Sequence, residues 1–139
     1  MRYLNFEEQL ATADLVVTAE GMLDGQTPYG KIPAEVARRA HASAIPTIVL
    51  AGAIGKGFEA NFRVGVDAIA STVTHPCTLE EAMRDAYGQL MRAAEDATRM
   101  VRVGIALGGR QSTRRRRSAA MIRNTPIADP QTGAWRLHY

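Results

Sequence analysis

The chain has 139 residues, 46% of them hydrophobic and 22% charged, with one cysteine and a net charge of +3. This is the composition of an ordinary globular protein, and it excludes a fibre or a chain stapled by internal disulfides. The longest apolar runs, such as residues 45–53, are too short to cross a bilayer, and "MRYLNFEEQL" lacks the basic start and apolar core of a signal peptide. The expected compartment is therefore the cytoplasm, without membrane association.

The net charge hides a split. Residues 1–102 carry 10 Lys+Arg against 13 Asp+Glu, a net of −3, whereas residues 103–139 carry 7 Arg against Asp129 alone, a net of +6. This asymmetry marks a candidate boundary and confines any expectation of nucleic-acid contact to the last quarter of the chain.

In chain order, Asn5 followed by Glu8 predicts a capped short helix through Ala11. "LVVT", residues 15–18, reads as a buried strand, and thirteen residues of loop follow, Ala19 to Lys31, with glycines at 21, 25 and 30. Pro33 suits the first turn of a helix that runs to about Ala42 with Val36, Ala37 and Ala40 on one face. "IPTIVLAGA" is the clearest parallel-type strand, and "GAIGKG" after it leads to a short helix near Glu59–Val64. "VDAIAST" is a third strand. Thr78 with Glu81 forms a capping box for the strongest helix, in which Leu79, Ala82, Met83, Ala86, Leu90, Ala93, Ala97 and Met100 keep a helical period to about Val101 as core packing. Strands and helices alternating at this spacing predict an α/β fold with a mainly parallel sheet over residues 1–102. From Val103 the period is lost, and residues 103–139 read as a basic, irregular tail.

Ligands of open parallel sheets bind beyond the carboxyl ends of the strands, which directs attention to the loop after "LVVT". It gathers Glu20, Asp24, Gln26, Thr27, Tyr29 and Lys31 with three glycines. Two carboxylates with a lysine suit phosphoryl transfer: the acids hold Mg²⁺ or take a hydroxyl proton, and the lysine offsets charge on a phosphate or an acidic substrate. The same residue types also build plain turns. "GQTPYGKI", residues 25–32, comes close to a P-loop, but Gly25 lies seven residues beyond Thr18 and Ile32 has no oxygen for a metal.

"ADLVVTAEGMLDGQTPYGKIPAEVARRA", residues 13–40, resembles the signature of the glycerate kinase family, approximately D-L-V-[IV]-T-G-E-G-x-[IL]-D-x-Q-T-x-x-G-K-x-P-x-x-V-A. The matching positions are Asp14, Leu15, Val16, Val17, Thr18, Glu20, Gly21, Leu23, Asp24, Gln26, Thr27, Gly30, Lys31, Pro33, Val36 and Ala37; Ala19 stands where the family usually has Gly, and Met22 where Arg or Ser is common. The similarity continues through residues 45–72 and ends near Arg102. The resemblance implies a partial, Rossmann-like three-layer domain and an enzyme that phosphorylates D-glycerate with ATP and Mg²⁺ in a cleft against a second domain. On that basis Asp24 and Lys31 are the candidate catalytic residues, Glu20 and Asp24 the metal ligands, and Gln26, Thr27, Gly30, Gly52 and Lys56 the contacts to substrate or nucleotide. Members of the family are roughly two to three times longer, in keeping with more than one domain. The expectation is that residues 1–139 resemble only their C-terminal segment, are inactive alone, and associate through uncovered sheet edges.

Other constellations are weaker. The run Arg114–Arg117 carries charge for phosphate contact, but no aromatic residues interleave with it, which disfavours a nucleic-acid-binding protein. His75 and Cys77 sit two residues apart without further ligands, too few for zinc. A non-catalytic α/β binding or regulatory module is the remaining rival.

Overall fold

A computed structural model of the chain describes the backbone of residues 5–123, 127–128 and 135–136 and the side chains of residues 5–111. The chain divides into two compact units, Met1–Ala97 and Thr98–Tyr139. The first contains three strands, β1 (Val16–Leu23), β2 (Thr47–Ile54) and β3 (Ala68–Ser71), in the order β1-β2-β3 and all parallel. Parallel neighbours cannot be joined by hairpins. The crossovers are α2 (Ile32–Ala42) between β1 and β2, and a 3-10 helix, Phe58–Val64, between β2 and β3. A short α1 (Phe6–Leu10) precedes the sheet, and α3 (Leu79–Arg84) and α4 (Ala86–Arg123) follow it.

The central strand explains its own sequence. β2 is covered on both sides, so its run is continuously apolar rather than alternating. Val49 and Ala51 pack with Leu23, Ala37 and Val66 on one face, while Leu50 packs with Ala93 and Ala97 of α4 on the other. This is a three-layer α/β arrangement with helices on both faces of a parallel sheet.

Several sequence expectations change. β1 does not stop at Thr18 but runs to Leu23, because Glu20, Met22 and Leu23 stay in register with Ala51, Ala53 and Ile54 of β2. The loop thus shrinks to residues 24–31, and Ala19 and Gly21 are strand residues. The backbones come so close here that a Cβ on Gly52 would stand 2.7 Å from the Gly21 carbonyl oxygen.

Asn5 does not cap α1. It adopts a left-handed conformation (φ 45°, ψ 40°) and makes no side-chain cap bond, whereas a capping side chain needs extended backbone to reach the first amides. The capping box at Thr78 does form: the Glu81 N–H donates to Thr78 Oγ1 at 3.2 Å and the Thr78 N–H to Glu81 Oε2 at 2.8 Å. The helix it opens ends at Arg84, however, with Asp85 in a non-helical conformation before α4 begins. The side chain of Asp85 lies over the bare Cα of Gly88, where a Cβ would meet its Oδ1 at 2.4 Å, and reaches Arg92 at 2.6 Å. Leu90, Ala93 and Ala97 of the apolar stripe pack on the sheet, but Leu79, Met83 and Met100 are exposed at 76%, 70% and 70%.

α4 also continues well past Val101, to Arg123. Residues 103–123 contain no proline, and Ala, Leu, Arg, Gln and Met, all good helix formers, outweigh Gly104, Gly108 and Gly109. The second unit comprises the rest of this helix and a two-stranded antiparallel pair, β4 (Ile127–Ala128) with β5 (Trp135–Arg136). The side chains beyond residue 111, those of Arg114–Arg117 among them, lie outside the described residues, as do residues 124–126, 129–134 and 137–139 of the expected irregular tail. Among the described residues, no helix is long and apolar enough to cross a membrane.

Candidate active site

The loop after β1 is held in one shape by the residue at its start. Asp24 Oδ1 accepts from the Gln26 N–H at 2.9 Å, the Thr27 N–H at 3.1 Å and the Thr27 hydroxyl at 3.2 Å, while the Asp24 N–H donates to Thr27 Oγ1 at 3.0 Å. An aspartate that binds the amides following it is an Asx turn, and here it leads straight into a 3-10 turn, Thr27–Tyr29. Gly30 closes that turn at φ 128°, a conformation open to glycine, and Lys31 then precedes the proline-bearing first turn of α2.

Asp24 and Lys31 are brought together: Lys31 Nζ lies 3.7 Å from Asp24 Oδ1 and donates to the Met22 carbonyl at 3.1 Å. The Gln26 N–H, foremost, holds the Asp24 carboxyl below its usual range, opposed by partial burial and helped by the Thr27 hydroxyl and the Lys31 ammonium. The group is thus an ionised carboxylate whose Oδ1 is saturated and whose Oδ2 takes no hydrogen bond from the described residues.

The other candidates are placed less uniformly. Thr27 is fully buried, its hydroxyl spent within the turn, while the neighbouring Gln26 is exposed. Glu20 is half-buried on β1, with Oε1 accepting from the Gly21 N–H at 3.0 Å. Three strand steps of about 3.3 Å each put it roughly 10 Å back from Leu23, so the two carboxylates do not converge. Glu20 instead lines a cavity of about 290 Å³ with Gly21, Leu50, Gly52, Thr72 and Leu90. The bareness of Gly52 is required by the approach to Gly21. Lys56 is exposed in the loop between β2 and the 3-10 helix, and its carbonyl accepts from the Gly25 N–H at 3.0 Å. Among the described residues, no three His, Cys, Asp or Glu side chains gather as a metal cluster.

One residue at this site carries no motif. Asn61, in the 3-10 helix, is fully buried, and its Nδ2 donates to the Asp24 carbonyl at 3.0 Å and to the Phe58 carbonyl at 2.7 Å. The only trace in the sequence is a polar letter three positions after Phe58 and three before Val64, a spacing that puts all three on one side of a 3-10 helix.

The donor set fits a divalent cation and phosphate. A free oxygen on an ionised carboxylate suits Mg²⁺, which takes one or two protein carboxylates and completes its shell with water and phosphate oxygens, and the adjacent ammonium suits an anionic group.

Comparison with known proteins identifies the family. The model of the glycerate kinase family matches residues 1–102. The glycerate kinase of Halalkalibacterium halodurans is 44% identical over 92 residues, which are 66% of this chain and 24% of that protein. The glycerate 2-kinase of Escherichia coli K12 is 35% identical over 106 residues, 76% of this chain and 28% of that one. A crystal structure from Salmonella typhimurium LT2, provisionally named glycerate kinase 2, superposes with a TM-score of 0.55 at 34% identity, covering 76% of this chain and 26% of its own. The match thus spans about a quarter of each relative. With the signature loop at the carboxyl end of a parallel strand and the family's pattern extending over its first 102 residues, the chain belongs to the glycerate kinase family.

Proposed function

We propose that this chain is the C-terminal part of an ATP-dependent glycerate kinase, transferring the γ-phosphoryl group of ATP to a hydroxyl of D-glycerate. The observation that carries this is loop 24–31, braced by its Asx turn, where Asp24 Oδ1 lies 3.7 Å from Lys31 Nζ and Oδ2 takes no hydrogen bond from the described residues. Phosphoryl transfer passes through a loose transition state, so the protein's work is positioning and charge stabilisation more than covalent chemistry. In the step itself the glycerate oxygen–phosphorus bond forms, the phosphorus–oxygen bond to ADP breaks, and the hydroxyl proton leaves to Asp24 or water.

Asp24 is assigned the central role. Its lowered pKa makes it a weak base but a dependable anion, which favours holding Mg²⁺ through Oδ2 while still accepting a proton late in the reaction. Bound there, Mg²⁺ would neutralise charge on the phosphate oxygens. Glu20, set back along β1, adds negative charge on the same side of the sheet end. Lys31 offsets developing phosphate charge, Lys56 and the exposed Gln26 contact the nucleotide or substrate, and the Gly30 backbone lets them approach. Thr27 and Gly52 serve by position: one locks the Asx turn, the other lets β1 and β2 close together.

Because the matched segment covers 24–28% of the relatives, turnover needs the remainder of such a kinase, and residues 1–139 alone are expected to give none. In a complete family member carrying this loop, Asp24→Asn should lower kcat at least about a hundredfold in a coupled ADP-release assay. Near-normal turnover would remove Asp24 from the chemistry.

A further inference from the structure

We propose that Asn61 is a positioning residue for Asp24, gripping its main-chain carbonyl so that the free carboxylate oxygen keeps one direction. The functional part of this inference rests on the kinase assignment above; the structural part does not.

Both Nδ2 protons of Asn61 are committed, one to the Asp24 carbonyl at 3.0 Å and one to the Phe58 carbonyl at 2.7 Å. The amide therefore bridges the loop after β1 to its own 3-10 helix across 37 residues of sequence. Turning the amide over would set Oδ1 against two carbonyl oxygens, so these partners fix its orientation. In that orientation Oδ1 is buried without a hydrogen-bond partner among the described residues. An unpartnered buried oxygen disfavours folding, and a leucine of similar size would not carry it. That leucine would also lack both donors, so the unpartnered oxygen is retained together with the two bonds to Asp24 and Phe58, as expected where fold stability yields to a site.

The mechanical logic follows from the surrounding contacts. Two backbone bonds also join these loops: the Gly25 N–H, in the same peptide as the Asp24 carbonyl, donates to the Lys56 carbonyl at 3.0 Å, and the Gly55 N–H to the Leu23 carbonyl at 2.8 Å. Gly25 and Gly57 face each other so closely that a Cβ on Gly25 would lie 3.3 Å from the Gly57 oxygen. These bonds fix where the loop runs. Asn61 holds the carbonyl end of the peptide that follows Asp24, the same carbonyl that accepts from the Thr27 N–H at 3.2 Å, while Lys56 holds its Gly25 N–H end, and the chain then leads to the Gln26 and Thr27 amides holding Oδ1. Loss of the grip would leave this peptide pinned only at its Gly25 N–H end, let its carbonyl tilt about that bond, slacken the two amide bonds and free the carboxylate to turn.

Amide hydrogen exchange followed by NMR on the 139-residue chain tests this, with Asn61→Leu keeping volume without a donor and Asn61→Ala as a second variant. Exchange at Gln26 and Thr27 should quicken about tenfold or more in both variants, while Val49 and Leu50 in β2 change by no more than about twofold. Unchanged exchange at Gln26 and Thr27, or equal acceleration in β2, would overturn the proposal, the latter making Asn61 a general support of the fold. With residues 1–102 grafted into the Escherichia coli glycerate 2-kinase, Asn61→Leu should lower kcat about tenfold or more and leave KM for glycerate nearly unchanged. An unchanged kcat would overturn the positioning role. Should the unmutated graft itself lack turnover, the kinase assignment fails, and the exchange result still decides whether Asn61 governs the loop.

Discussion

The two faces of the sheet are finished to different degrees, although the same strand serves both. Toward α2, Leu23, Ala37, Val49 and Ala51 are all completely shielded from solvent. Toward α4, the buried apolar cluster is Leu50, Ala93 and Ala97, with Ile48, Ala70, Leu90 and Ala94 partly covered around it, and a cavity of about 290 Å³ opens beside Glu20. The difference lies in the covering helices. α2 presents Ala34, Val36, Ala37 and Ala40, small residues that let it lie close to the sheet, whereas α3 buries nothing. The loop after β1 is bonded to Asn61 and to the 55–57 loop.

The largest expected effect breaks the finished face. Leu23→Ala should cost about 2–5 kcal/mol in urea denaturation, because a fully enclosed site cannot collapse around the cavity. Leu90→Ala on the other face should cost only about 1 kcal/mol, its surroundings being partly solvated already. Equal losses would erase the distinction. Gly52→Ala comes next: its Cβ would meet the Gly21 carbonyl at 2.7 Å, and the backbone shift this forces should cost about 1–3 kcal/mol and unpair the ends of β1 and β2, seen as lost exchange protection from Glu20 to Leu23.

The smallest effect is a pH dependence at α3. Bonds from the Thr78 backbone first, then its hydroxyl, hold the Glu81 carboxyl below its usual value of 4.5. A carboxyl lowered by folding stabilises fully above its unfolded value, and that contribution is lost as pH falls through the lower folded one. Exchange protection of α3 should thus decline below about pH 4.5, whereas Glu81→Gln keeps a capping side chain and should remove the decline. A decline that persists in the Gln variant would assign it to another group.

How much of this was legible in the sequence depends on whether the deciding contact is local. β2 was readable because a buried parallel strand is uniformly apolar and Pro46 and Gly52 bracket it. The second half of β1 was not: Ala19, Glu20, Gly21 and Met22 look like loop, and their pairing depends on a glycine 31 positions away in β2, which no local pattern shows. The Thr78–Glu81 box was legible, being a four-residue device, while Asn5 shares its letters but not its backbone conformation. The end of the last helix is hidden because its apolar period stops near Val101 while helix propensity does not. At the site, the signature drew attention to Asp24 and Lys31, and "DGQT" carries the letters of an Asx turn. Glu20 is close to Asp24 in sequence, a proximity that strand extension converts into distance. Asn61 was invisible, since a single polar letter cannot reveal a bond spanning 37 residues.

The most direct test of the central claim is a graft. Residues 1–102 replace the matching segment of the Escherichia coli glycerate 2-kinase, and ATP-dependent phosphorylation of D-glycerate is followed by ADP release. The account predicts measurable turnover that requires both ATP and D-glycerate. A graft that unfolds as cooperatively as its parent yet gives no turnover above background would contradict it.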